Sequence, residues 1–551
     1  MRSNFTCQLL VAHTEGSNVT SASVPFQQNC CPDESITGLE HEALAMKQNP
    51  KSKLIPRRFF LSRAALATGA VTALGIRTVP SLKALGYKSP NERLNLAAIG
   101  AGGQPYADLR DAHSGVENVV ALTDVDWKRG APGFEFWPKA RKFKDFREML
   151  DKSGNDIDAV VIGTPDHMHA TCALACMQLG KHVYLEKPLT HTSWEARLLT
   201  EAAGKYKVAT QMGNQGYSHD ATRVACEILW SGEIGEVREV HAWAGRPGWP
   251  QEMARIPGPT PVPDTLDWDL WLGWAASRPF TAGDDEYRAF IAERKAQGKG
   301  VSSHADYGFY LPENWRGFFD FGSGLIGDWG VHIMGPANWG LQLSPEHLVS
   351  VECVHKDTLP PFTFPDELTI KYEFGPRPGM PPVTLYWYHH PGGDAYLPPG
   401  MTAEQAERIP DTGPQVGPSR RRGGGYNLIF VGSKGYLGTD GRGEDVGLLP
   451  GSRWADYKLP PAYLPRSPGA TNGDNHAAHC RDWVRACKGG APACSNFAIA
   501  GKYTEWLLLG SVAVHYEGKL TYDAAKGVIT NNDDANKWVK ATFRKGWELK
   551  A

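Results

Sequence analysis

Charge of either sign is not in excess in this 551-residue sequence. Its 58 Lys+Arg against 60 Asp+Glu leave a formal net charge of -2, so no global field favours nucleic acid or an anionic membrane. Recognition of any partner must therefore be local. The ten cysteines include no CxxC pair. Cys7, Cys30 and Cys31 fall in a stretch read as lying outside the mature protein, Cys172 and Cys176 are four apart on an apolar helix, and Cys480, Cys487 and Cys494 lack metal-knuckle spacing. Neither a metal site nor a disulfide framework is expected, and the seven remaining thiols are read as small buried residues. There is no internal repeat and no apolar run long enough for a membrane span. What the sequence does have is glycine, proline and tryptophan, at 60, 40 and 18 residues, which points to long ordered loops and to flat aromatic faces. Those faces either stack on sugar rings or fill a large core. A hydrophobic content of 41% supports two sizeable cores.

The chain divides into four segments. Residues 1–45 show no periodicity and are read as a non-native extension, with Met46 as the expected start. Residues 46–86 read as a leader: Pro56-Arg57-Arg58-Phe59-Phe60-Leu61-Ser62 precedes the uncharged run from Ala64 to Ile76, which resembles a twin-arginine export signal. A cleavage point is expected near Ala84-Leu85-Gly86. Export of a folded protein by the twin-arginine machinery places it in the periplasm; if the leader is unused, the protein is cytoplasmic.

From Arg93 strand and helix alternate. Apolar runs at Leu94–Ile99, Val119–Thr123, Ala159–Ile162 and His182–Leu185, with helix-like segments between them, predict an α/β fold opening on a doubly wound parallel Rossmann sheet over 93–212. Residues 213–551 then form a C-terminal α+β domain. In it a helix at 220–231, a strand at Val237–Trp243 and strands near 367–374, 382–389 and 427–432 predict a mostly antiparallel open sheet, closed by helices near 475–487 and 502–516. The stretches 246–316 and 376–425 carry few periodic runs and are read as long loops.

The first strand ends in Gly100-Ala101-Gly102-Gly103-Gln104-Pro105. Gly100 permits a tight turn, Gly102 lets backbone approach a pyrophosphate, and Gly103 and Gln104 open the helix whose N-H groups meet the negative charge. Pro105 stands where a third glycine is usual, which alters the packing of helix on strand. Asp124 ends the second strand, where a carboxylate binds ribose hydroxyls and repels a 2′-phosphate; NAD is expected over NADP, although Lys128 and Arg129 follow closely.

Gly163-Thr164-Pro165-Asp166-His167-Met168-His169 and Tyr184-Leu185-Glu186-Lys187-Pro188 resemble the Gfo/Idh/MocA family of sugar and cyclitol oxidoreductases. So do Met212-Gly213-Asn214-Gln215 and the run from Gly322 to His332, and the resemblance spans about residues 93–550. It implies that Thr164, Pro165, His169, Glu186 and Lys187 line the cofactor, and that Asn214 and Gln215, at the domain junction, bind it as well. Asp166 stands where the family often has asparagine.

The chemistry of alcohol oxidation points the same way. A base must take the hydroxyl proton while hydride leaves carbon, and His332 is the candidate. Asp328, four residues earlier, shares its helical face and either holds the imidazole or binds a sugar hydroxyl, and Lys187 polarises the reacting oxygen. Trp315 and Arg316 are candidate sugar contacts, with packing as the alternative. His389 and His390 are adjacent on a strand and cannot easily share a metal; Arg420–Arg422 read as a solvated loop. The expected activity is oxidation of a secondary alcohol of a sugar or cyclitol, redox-neutral if NAD is tightly held. The alternative is an NAD-dependent glycoside hydrolase or lyase working through a transient keto-sugar. A carbohydrate is the expected partner, with no nucleic acid and no membrane span, and a homo-oligomer is expected.

Overall fold

A computed structural model describes residues 92–245, 247–299, 301, 308–389, 396–409, 412–416, 425–466 and 475–550. The leader with Arg57 and Arg58, and His390 and Arg420–Arg422, lie outside them. The described residues fall within one compact unit.

The Rossmann portion runs β1 (Asn95–Ile99), α1 (Gln104–His113), β2 (Asn118–Thr123), α2 (Trp127–Phe136), β3 (Arg141–Phe143), α3 (Phe146–Ser153), β4 (Ala159–Ile162), α4 (Asp166–Gln178), β5 (His182–Leu185), α5 (Ser193–Tyr206) and β6 (Thr210–Met212). Its six strands are all parallel, in the order β3-β2-β1-β4-β5-β6. Leu96, Ala97 and Ala98 of β1 and all of β4 are inaccessible to solvent, because helices cover both faces of a parallel sheet and leave no polar side. Asp126 and Asp145 cap α2 and α3 by accepting from the first free N-H groups, and Thr192 with Glu195 forms a capping box on α5.

Then follow α6 (Asp220–Ser231), β7 (Val237–Ala244), α7 (Trp268–Leu272), α8 (Asp285–Ala296), a π-helical turn (Ile326–Gly330) running into α9 (Val331–Ile333), and α10 (Gly335–Gly340). Next come β8 (Leu348–Lys356), β9 (Leu368–Phe374), β10 (Val383–His389), β11 (Leu428–Gly432), β12 (Gly435–Thr439), β13 (Val446–Leu449), α11 (Asn475–Cys487) and α12 (Phe497–Ala513), before a short two-stranded sheet (Tyr522–Asp523 with Val528–Ile529) and a last helical turn (Asn536–Val539). The seven-stranded sheet has the order β13-β12-β11-β7-β10-β9-β8 and is antiparallel except where β7 meets β10.

Two stretches differ from the sequence reading. The segment read as loop over 246–316 holds α7 and α8, each started by an aspartate cap, Asp267 to Leu270 N and Asp284 to Tyr287 N. The last long helix begins at Phe497 rather than near 502, because Asn496 accepts from Ala498 N and sets its start. One helix also crosses over: Cys480, Trp483, Val484 and Cys487 of α11 pack into the same core as Leu96, Ala98 and Leu109, so α11 covers part of a Rossmann face.

Candidate active site

One crevice of about 1050 Å³ opens at the carboxyl ends of β1, β4 and β5. In an open parallel sheet this is where ligands bind, since helix N-termini and strand-end loops converge there.

The glycine turn forms its floor. Gly100 and Gly103 have φ of 96° and 65°, a conformation that side chains resist. Gly102 is needed for a reason the sequence did not suggest: a Cβ there would collide with the Arg129 carbonyl of α2. Pro105 is accommodated by its neighbours, since a Cβ on Gly163 would sit 2.7 Å from the Pro105 ring and one on Gly100 at 2.9 Å. The helix-strand contact that a third glycine would allow is thus provided by Gly163 instead. Asp124 lines the crevice, and its carboxylate also ties the turn together by accepting from Ala101 N (2.9 Å) and Asp126 N (3.0 Å). Burial pushes it up to about 6. Gln104, Thr164, Pro165 and Gln215 complete this part of the wall. The Thr164 hydroxyl is buried without a partner. With an open helix N-terminus at Gly103 and a carboxylate at the end of β2, these residues fit a dinucleotide.

His169 also lines the crevice, but its nitrogens each lie 2.8 Å from a carbonyl, that of Thr164 and that of Pro188. It joins the two motif turns rather than offering a free donor to the cofactor. Asp166 is likewise structural, accepting from Ser323 N (3.1 Å) and Ser323 Oγ (2.7 Å), which fastens α4 to the approach to the π-helical turn. Burial raises Glu186 above the usual carboxylate range, and the facing Asp108 adds to the effect. Its carboxyl accepts from Lys187 N at 3.1 Å and Gln215 Nε2 at 3.4 Å.

Lys187 Nζ donates to Asp328 Oδ1 at 2.8 Å and to the Asp328 carbonyl at 3.0 Å, and Arg316 Nε donates to the same carboxylate at 3.2 Å. Burial alone would raise Asp328, but the ammonium and guanidinium outweigh it and hold the carboxyl at about 2. The expectation that Asp328 holds the imidazole is therefore corrected. Asp328, in the π-helical turn, faces Lys187, while His332, in α9, faces Asn214.

Asn214 needs a second correction. It is fully buried and does not line the crevice. Its Nδ2 donates to the Val331 carbonyl at 2.8 Å, which fixes the amide orientation and turns Oδ1 toward His332 Nδ1 at 3.1 Å. Nδ1 is then the donor and Nε2 carries the lone pair. Burial, followed by the fields of Lys187 and Arg442, keeps His332 well below its ordinary value, so the ring is neutral at physiological pH. Trp315 lines the crevice while almost buried, its Nε1 donating to Pro312 O at 3.0 Å and Arg316 lying over its ring at 4.3 Å.

Sequence reasoning missed several crevice residues. His219, Trp329, Arg442 and His476 all line it, as does Arg129, which the sequence reading placed near Asp124. His476 of α11 bridges Asp108 at 2.8 Å and Asp111 at 2.5 Å. Burial opposes its charge, yet the two carboxylates raise it to about 10. Asp108, His476 and Cys480 form the one three-residue group among the described residues that could hold a metal ion. Burial drives the Cys480 thiol far above its usual range, which disfavours the thiolate that such a ligand must supply.

Comparison with known proteins agrees with this geometry. Residues 94–214 match the family model described as "Oxidoreductase family, NAD-binding Rossmann fold", GFO_IDH_MocA. The match covers the parallel-sheet portion of the chain. Among similar proteins, inositol 2-dehydrogenase of Rhodococcus erythropolis is 29% identical over 166 residues, covering 29% of this chain and 47% of that protein. Inositol 2-dehydrogenase 2 of Saccharopolyspora erythraea is 31% identical over 185 residues, covering 32% and 53%. The matched region thus spans about half the length of these relatives. An inositol dehydrogenase homolog from Azotobacter vinelandii, solved with NADH and myo-inositol, aligns over 79% of this chain and 100% of its own at 16% identity and a TM-score of 0.48.

Proposed function

We propose that the protein is an NAD-dependent oxidoreductase acting on a secondary alcohol of a sugar, cyclitol or sugar derivative. The observation that carries this reading is the convergence, beside a dinucleotide cradle, of a neutral His332 with one fixed tautomer and a Lys187–Asp328 pair. Gly100, Gly103, Gln104, Asp124, Thr164 and Gln215 would hold NAD, which when bound supplies the hydride acceptor. His332 Nε2 takes the hydroxyl proton. Lys187, held by Asp328, turns its ammonium toward the oxygen and stabilises the negative charge that develops there. Trp315 and Arg316 contribute a flat face and a guanidinium to the sugar site.

Asp124 supports NAD over NADP, and Asp124→Ala should weaken NAD more than NADP; an unchanged ratio of affinities would assign the preference elsewhere. The paired arginines upstream support a finer reading, in which a folded, NAD-loaded protein is exported and works redox-neutrally, by epimerisation, coupled oxidation and reduction, or transient oxidation during glycoside cleavage. A panel of free sugars, cyclitols and p-nitrophenyl glycosides tests both. NADH accumulation supports the dehydrogenase, nitrophenol release without net NADH supports the cleavage reading, and neither of these, together with no change in any sugar by chromatography, refutes both. Purification without added nucleotide, followed by denaturation and NAD assay of the supernatant, tests retention; substoichiometric NAD would leave an exchanging dehydrogenase.

A further inference from the structure

The hairpin joining β12 to β13 brings Arg442 to the crevice, and three contacts hold its tip. Gly443 N donates to the Asp440 carbonyl at 3.2 Å, Glu444 N to Asp440 Oδ1 at 2.7 Å, and Thr222 Oγ1 to the Gly443 carbonyl at 3.3 Å. The Arg442 carbonyl presses against Gly216, where a Cβ would sit 2.8 Å away. The hairpin is therefore seated against the segment that follows Asn214. From it the Arg442 guanidinium lies 5.5 Å from the centroid of Trp329, whose ring is in turn 6.0 Å from that of His332.

The cations of this half of the crevice are not treated alike. Lys187 and Arg316 converge on Asp328, which compensates one of their two charges. Arg442 pairs with no carboxylate among the described residues, and no ion pair joins it to Glu444 of the same hairpin, although both line the crevice. A guanidinium resting on an indole, left without an anion and placed beside the base, has the planar fork that receives a carboxylate.

We infer that the substrate is a sugar acid, a polyol bearing a carboxylate that Arg442 receives while His332 deprotonates a hydroxyl elsewhere on the same molecule. This rests on the oxidoreductase reading above and specifies its substrate class. Carboxylate is chosen over phosphate because the planar fork of a single guanidinium matches a planar carboxylate, and the phosphate arm of the test separates the two. The reaction balances as before: hydride leaves the carbinol carbon for NAD, the hydroxyl proton goes to His332, and a keto acid and NADH result.

The test uses the NAD-loaded protein with matched pairs: D-glucuronate and D-glucose, D-galacturonate and D-galactose, with glucose 6-phosphate as the phosphate arm. NADH formation and calorimetric binding are both read. The expected result is a kcat/KM for at least one acid about 10- to 100-fold above its neutral partner, the range for a charge-assisted pair. In Arg442→Gln that ratio should collapse, chiefly through KM for the acid, and Arg442→Lys should restore part of it. Equal efficiency for acid and neutral sugar, or a ratio unchanged in Arg442→Gln, would overturn the inference and leave the oxidoreductase reading standing. Acid binding that is lost in Arg442→Gln, without turnover of any sugar, would support the inference and refute the oxidoreductase reading. Preference for glucose 6-phosphate over both members of its pair, or no binding of any acid, would overturn the assignment.

Discussion

Replacing Asn214 by leucine removes the acceptor that faces His332 Nδ1 while keeping the side chain's approximate volume. Two bonds are lost, but they are unequal in consequence. The Val331 carbonyl retains a second donor, Tyr503 Oη at 2.9 Å, so it stays satisfied. His332 Nδ1 has no other partner of this kind and, at 4% exposure of the residue, little water to replace it. Leaving a buried donor unpaired costs about 1–3 kcal/mol, and the ring can escape by moving its proton to Nε2, which destroys the base. At about 1.4 kcal/mol per tenfold, Asn214→Leu should lower kcat by about 5- to 150-fold at every pH, with NAD affinity little changed because Asn214 does not line the crevice. Asn214→Asp is the informative partner. It keeps an acceptor but places a negative charge 3.1 Å from the imidazole, where a carboxylate favours the protonated ring. Its activity should recover toward alkaline pH, and the acid limb of its kcat/KM profile should move upward by about 1–3 pH units. Rates against pH for both variants, with NAD binding followed by fluorescence, provide the assay. A folded Asn214→Leu protein with near-normal kcat would refute the tautomer argument.

His332→Ala and Lys187→Ala should each lower turnover by about 10²-fold or more, with NAD binding retained in the first; near-normal rates in His332→Ala would remove it from the mechanism. Gly163→Ala should cost about 1–3 kcal/mol of stability and weaken NAD binding, since the new Cβ meets the Pro105 ring at 2.7 Å and displaces the glycine turn. An unchanged urea midpoint would show that α1 can shift freely. Glu195 of the capping box is held at about 8 by burial, above its ordinary 4.5, so the folded chain keeps a proton that the unfolded chain releases. Its contribution to stability is full below about pH 4.5 and declines through pH 8, by at most about 1.4 kcal/mol per unit, and Glu195→Gln should flatten that decline in thermal melts. Parallel curves for the two proteins would mean that Glu195 is ionised throughout.

The strands that were legible are those in which a covered parallel sheet demands unbroken apolar runs, such as Ala159–Ile162. By contrast, Arg141–Phe143 spans three residues with two charges, and Gly435–Thr439 carries two glycines, so β3 and β12 give no pattern to read. Thr164, Lys187 and His332, each in a motif visible in the sequence, line one crevice. Their partners were less accessible: a spacing of four suggests that Asp328 meets His332, whereas Asp328 is engaged by Lys187 and Arg316 and His332 by Asn214, contacts made between residues far apart along the chain or on another turn. Asn214 was visible as a motif residue but not as a ring orienter, since that depends on where its amide points. Arg442 and His476 belong to no local motif; an exposed arginine in a glycine-rich turn looks like any other until the fold brings it to Trp329.

The crossing of α11 onto the Rossmann face also bears on the order in which the protein can be made. The nucleotide-binding sheet is encoded first, yet Trp483 and its neighbours, some 270 residues beyond the end of β6, complete part of its core. A ribosome that has just finished β6 holds a sheet with an uncovered apolar patch, and the His476 bridge to Asp108 and Asp111 beside the glycine turn cannot yet exist. The fully assembled cofactor crevice therefore waits for α11, and truncations that remove α11 should be felt at the N-terminal nucleotide site.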